Sequence, residues 1–91
     1  MLHIVNKTSS LPSCLRLAQP GQTLLLIEDG VYAATRADLL GDAARTLNVH
    51  ALQPDLAARG MAGKALAGVK TIDYTGFVEL VATHPTNQSW L

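Results

Sequence analysis

Cys14, in the run Ser13-Cys14-Leu15, is the one side chain of this sequence with nucleophilic capacity beyond the ordinary hydroxyls. A thiol attacks as its thiolate, so its usefulness depends on what lowers its pKa. In the first turn of a helix opening at Leu11 it would feel the positive end of that helix, with Lys7 upstream adding a cation. Cys14 also flanks an apolar stripe of Leu11, Leu15 and Ala18, and free cysteine is among the residues most often buried as a small hydrophobe. Two expectations stand: a sulfur nucleophile or an inert core residue. With no second cysteine, an intramolecular disulfide and a zinc site of several thiolates are excluded, and a reducing cytoplasm is the expected location.

Carboxylates are the second source of chemistry. Glu28-Asp29 follow the aliphatic run Leu24-Leu25-Leu26-Ile27, and Asp55 and Asp73 stand where two further strand-like runs give way to helices. In an open α/β sheet ligands sit beyond the carboxyl ends of the strands, so Asn6, Asp29, Asp55 and Asp73 form one candidate pocket for a stand-alone small-ligand-binding domain. Each of these points is also a helix start, where an Asp accepts a backbone N–H and complements the helix dipole. That structural role is the expectation for Asp55 and Asp73. Glu28 and Asp29 are adjacent and, in an extended segment, point to opposite sides, whereas an acid/base pair faces across a cleft.

His3, His50 and His84 are far apart in sequence and lack the close partners of a metal-binding motif, so no metal site is expected from them. His84 stands where a last helix should end, a favourable place for a cation. There is no G-x-S-x-G elbow, P-loop or G-x-G-x-x-G, which removes the usual sequence support for a hydrolase, an NTPase or a dinucleotide enzyme; no cofactor is expected.

The elements that must position these groups follow from periodicity. Leu2-His3-Ile4-Val5 reads as a strand ended by Asn6-Lys7-Thr8-Ser9-Ser10, and Leu11, Cys14, Leu15 and Ala18 then share one helix face, stopped at Pro20-Gly21. Thr23 to Ile27 is a continuous apolar run too short for a helix and is expected as the central strand, covered on both faces. Val31 to Ala34 predicts a short helical turn. Thr35-x-x-Asp38 predicts a capping box for one helix burying Leu40, Ala43, Ala44 and Leu47, with Asp38, Asp42 and Arg45 on its other face. A third strand, Val49 to Leu52, precedes a short helix over Asp55 to Arg59. The fourth strand, Val69 to Ile72, precedes a helix with Tyr74, Phe77, Val78 and Val81 along one face, ended by Pro85. Thr86 to Leu91 reads as a polar tail. Alternating strands and helices give one α/β domain over residues 1–91, with about four parallel strands and helices on both faces, flavodoxin-like in miniature.

A single domain of 91 residues buries only roughly 60–65% of the surface of its unfolded chain. The chain is 48% hydrophobic and 15% charged, short of charge with which to cover its surface, which implies a surface covered by another subunit. Seven Lys and Arg balance seven Asp and Glu, with no basic run, which argues against direct binding to nucleic acid. No apolar stretch is long enough to span a membrane, and the first residues lack the pattern of a signal peptide.

Over essentially its whole length the sequence resembles the DsrH/TusB branch of the DsrE/DsrF/DsrH-like family of sulfur-relay subunits. The resemblance is carried by MLHIVNK at the start, LLLIEDGVYAA, Val49-His50-Ala51-Leu52 followed by Pro54-Asp55-Leu56-Ala57-Ala58-Arg59-Gly60, Ile72-Asp73-Tyr74-Thr75-Gly76-Phe77-Val78, and Trp90. It implies a cytoplasmic heterohexamer with TusC/DsrF-like and TusD/DsrE-like partner subunits, in which persulfide sulfur passes between cysteines towards 2-thiouridine at the tRNA wobble position. In the Dsr version a similar complex serves dissimilatory sulfur oxidation. The main relay cysteine of these complexes belongs to the larger DsrE/TusD-like subunit. The resemblance therefore implies a mainly structural subunit, without independent catalysis, in which Cys14 is the candidate persulfide carrier because DsrH-type members carry a cysteine at that place.

Overall fold

A computed structural model describes all 91 residues. Five strands, β1 (Leu2–Val5), β2 (Thr23–Leu26), β3 (Asn48–Leu52), β4 (Val69–Ile72) and β5 (Asn87–Trp90), form one sheet in the order β4-β3-β2-β1-β5. Every adjacent pair is parallel. The connecting elements are a single 3-10 turn over Thr8–Ser10, α1 (Leu11–Leu17), a longer 3-10 segment over Glu28–Thr35, α2 (Ala37–Leu40), α3 (Ala43–Thr46), α4 (Gln53–Ala58) and α5 (Tyr74–Thr83). The α/β class, parallel sheet and central position of β2 match the sequence reading.

Two apolar layers hold the sheet. On one face Val5, Leu24, Leu26, Val49 and Ala51 pack under Leu11 and Cys14 of α1, Val31, Ala33 and Ala34 of the 3-10 segment, Leu40 of α2, Ala43 of α3 and Leu56 of α4. On the other, Leu2, Ile4 and Leu25 meet Phe77 and Leu80 of α5, with Ile27 and Ile72 alongside. Leu24, Leu25 and Leu26 are buried on alternating faces with no exposed surface, and each contributes about 1.5–3 kcal/mol by leaving water. This two-sided burial is why β2 is an unbroken aliphatic run.

Four local expectations are corrected. The last residues form the fifth strand: β5 pairs with β1 in the register Leu2 with Asn87 through Val5 with Trp90. The single helix expected after Thr35 breaks into α2 and α3 at Gly41, whose φ of 59° and ψ of −135° leave the helix. Thr35 does not cap it; its hydroxyl donates to the Tyr32 carbonyl, and Asp38 pairs with Arg36. The helix expected from Asp55 begins at Gln53, with Pro54 in its first turn, so Asp55 lies inside that turn and does not cap it. On α5 the stripe expected to face the core divides: Phe77 packs inward beside Leu80, while Tyr74, Val78 and Val81 are exposed.

Candidate functional site

The carboxyl end of the sheet brings together two of the four predicted pocket residues. β2 ends at Leu26, and the chain turns at Glu28, which takes a φ of 50°, a conformation uncommon outside glycine. The Glu28 N–H donates to Asp55 Oδ2 at 2.6 Å, so α4 supplies the acceptor that holds the turn. Arg59, one helical turn beyond Asp55, donates from Nε to Asp29 Oδ1 at 2.9 Å and from Nη1 to the Asp55 carbonyl at 3.1 Å. The Asp55 carboxylate lies 4.0 Å from the same guanidinium. The Asp29 carboxylate holds the Arg59 guanidinium above its already high pKa. One cation thus sits between two carboxylates, an ionic clamp joining the end of β2 to α4.

Neither of the other two predicted pocket residues bonds to this clamp. Asp73 is the N-cap of α5, its Oδ1 accepting the Gly76 N–H at 2.8 Å, as its position predicts. Asn6, at the end of β1, holds its side-chain oxygen buried with no protein donor. None of the three hollows in the surface is lined by Asp29, Asp55 or Arg59. The largest, about 330 Å³, is an apolar groove between α1 and the α2–α3 elbow.

Cys14 has no exposed surface and belongs to the larger apolar layer. Burial pushes its thiol up to about 11 from 9.0. Desolvation therefore outweighs whatever stabilisation the short α1 gives a thiolate, and in the folded chain the sulfur is neutral and closed to solvent.

The histidines occupy three separate places. His3 is buried on β1; Trp90 Nε1–H donates to its Nδ1 at 3.2 Å, which leaves the proton on Nε2 to donate to Gln22 Oε1 at 2.7 Å. This chain ties β5, β1 and the segment before β2 together. His84 donates from Nδ1 to the Leu80 carbonyl at 2.7 Å, closing the C-terminus of α5, and its Nε2 accepts from the Thr23 hydroxyl at 3.2 Å. His50 is half-buried beneath α5, and desolvation holds its pKa below the ordinary 6.5, opposed by its hydrogen bond with the Asn48 carbonyl and aided by the charge of Lys70.

Residues 5–87 match the family model described as DsrH like protein. The chain belongs to the DsrH-like family. It is 37% identical over 95 residues to Protein TusB of Escherichia coli strain K12, covering 99% of this chain and 100% of the relative. Protein TusB of Shigella flexneri gives the same identity and coverage, and Protein TusB of Escherichia coli O81 is 36% identical over the same span. In this DsrH-like chain no helix is long and apolar enough to cross a membrane.

Three features of the site escaped the sequence reading. In the sequence Arg59 reads only as the end of a helix, although Asp55 and Arg59 at i and i+4 have the spacing of a helical ion pair. Gly30 packs directly against the backbone at the end of β1, an approach that sequence spacing does not reveal. The Trp90–His3 bond joins residues at opposite ends of this DsrH-like sequence, and only the sheet order brings them together.

Proposed function

We propose that this chain is a subunit of a cytoplasmic sulfur-relay complex that passes persulfide sulfur towards 2-thiolation of the wobble uridine of tRNA, and that it serves chiefly in assembly. The full-length likeness to Protein TusB carries this reading. Its partners are TusC/DsrF-like and TusD/DsrE-like chains, two copies of each subunit making a heterohexamer, and the complex needs no cofactor of its own. Low charge and the exposed apolar residues Tyr74, Val78 and Val81 on α5 support an obligate partner.

Cys14 enters the proposal as a sulfur acceptor that acts only when α1 loosens from the core, since in the resting fold its thiol is buried and neutral. The test is co-expression with the two partner subunits, followed by incubation with a persulfide donor and intact mass spectrometry. Co-purification of all three chains is expected, with added sulfur on the partner's relay cysteine. A chain that ignores both partners sinks the subunit reading. Labelling of the partner without any label on Cys14 removes the acceptor role and leaves Cys14 a packing residue.

A further inference from the structure

The two edges of the sheet are built differently. β4, at one edge, carries the exposed Lys70, and a lysine on an edge strand opposes pairing with another chain. β5, at the other edge, reads Asn87-Gln88-Ser89-Trp90, with no charge and no proline. The Leu2 N–H donates to the Thr86 carbonyl, so by the alternation of a strand the groups of Gln88 and Trp90 face β1, while those of Asn87 and Ser89 face outward. No protein group meets those outward N–H and C=O groups, and both residues are exposed.

We propose that β5 pairs with β5 of a second copy of this chain, antiparallel about a two-fold axis at Gln88, extending the sheet across the dimer. The outward groups are symmetric about Gln88: Asn87 faces Ser89 of the copy and Ser89 faces its Asn87, so each pair exchanges two backbone hydrogen bonds and no outward group within the strand is left over. A neutral strand meets its own copy without like-charge repulsion, which β4 with Lys70 cannot do. Side chains directly opposite share a face, so Gln88 and Trp90 of both copies lie together. That joins the hollow of about 280 Å³ lined by Met1, His3, Leu17, Gln22, Gln88 and Trp90 to its symmetry mate. Met1 and Leu17, both exposed in the single chain, border this seam. The proposal stands on strand geometry and does not depend on the sulfur-relay reading.

Two variants of the full chain test it. Ser89→Pro removes an outward N–H and leaves the ladder to β1 intact, as proline does at a sheet edge. Gln88→Cys puts a thiol opposite its own copy in a pair without backbone bonds, where Cα atoms are about 4.5 Å apart and a disulfide can close. Sedimentation equilibrium should give the mass of two chains for the parent and of one chain for Ser89→Pro, with circular dichroism checking that the variant is folded. Under mild oxidation Gln88→Cys should convert to a covalent dimer, while Ser89→Cys, opposite Asn87, should not. A monomeric parent, a Ser89→Pro variant that stays dimeric, or a Gln88→Cys variant that does not cross-link overturns the proposal. So does a parent that is monomeric alone and uses β5 only to bind a different subunit.

Discussion

A Cβ placed on Gly30 would stand 2.3 Å from the carbonyl oxygen of Val5, closer than any real side chain approaches a backbone atom. The 3-10 segment and the end of β1 are therefore in direct backbone contact, and only hydrogen fits between them. Gly30→Ala must push one of the two away, at a cost of about 3 kcal/mol. Urea denaturation should show that loss; a variant as stable as the parent would mean that the turn shifts freely.

Asp55 acts at the same turn from the other side. Asp55→Ala leaves the Glu28 N–H without its acceptor and takes one carboxylate from Arg59, and it should lower stability by about 1–2 kcal/mol. Asp55→Asn keeps an acceptor oxygen and should cost less. Equal losses in the two variants would place the effect in the ion pair and not in the turn.

For Cys14 the expected behaviour is that of a core thiol. Iodoacetamide should leave it unmodified in the folded chain and label it once urea unfolds the protein. Cys14→Ser puts a hydroxyl in the apolar layer and should destabilise by about 1–3 kcal/mol, more than Cys14→Ala. The folded pKa lies above the unfolded value, so the contribution to stability is complete below pH 9.0 and is lost as pH rises towards about 11. Denaturation midpoints on either side of pH 9.0 should reveal this decline in the parent and not in Cys14→Ala.

His50 gives the opposite slope. Its folded pKa lies below the ordinary 6.5, so the unfolded chain takes up a proton first as pH falls. Its contribution is complete above pH 6.5 and declines below it. Urea midpoints at about pH 7.5 and about pH 5 should differ more for the parent than for His50→Gln. An unchanged difference would assign the acid sensitivity to other groups.

Trp90→Phe keeps an aromatic ring against the core but removes the N–H that His3 accepts. A loss of about 1 kcal/mol should lower the thermal midpoint by about 4–8 °C in a domain of this size. A midpoint within a degree or so of the parent's would show that the bond is replaced by water at no cost.

The parallel sheet was legible because β2 is buried on both faces and must therefore be aliphatic throughout, and Asp73 because an N-cap is a local signal. β5 was not legible: Asn87, Gln88 and Ser89 carry no apolar alternation, and the strand is made by backbone pairing to β1. The inward face of α5 was misassigned because Tyr74, Val78 and Val81 are as apolar as Phe77 and Leu80, so periodicity gives no direction on a helix apolar nearly all round. Of the candidate pocket, the grouping of Asp29 with Asp55 was anticipated, but not the Arg59 that bridges them. That Cys14 lies wholly inside the apolar layer was not legible either, because burial is a property of the assembled layer that no local spacing encodes.

The order β4-β3-β2-β1-β5 also sets a timetable. β1, β2 and β3 lie in consecutive stretches and can assemble as soon as residue 52 is available, whereas the outer edge of β1 waits for residues 87–90. Pairings of such long sequence separation form late because loop closure precedes any gain from contact. During synthesis the outer edge of β1 thus keeps its backbone N–H and C=O groups unpaired until β5 arrives, and pulse-labelled hydrogen exchange should find the β5 amides that face β1 the last to gain protection.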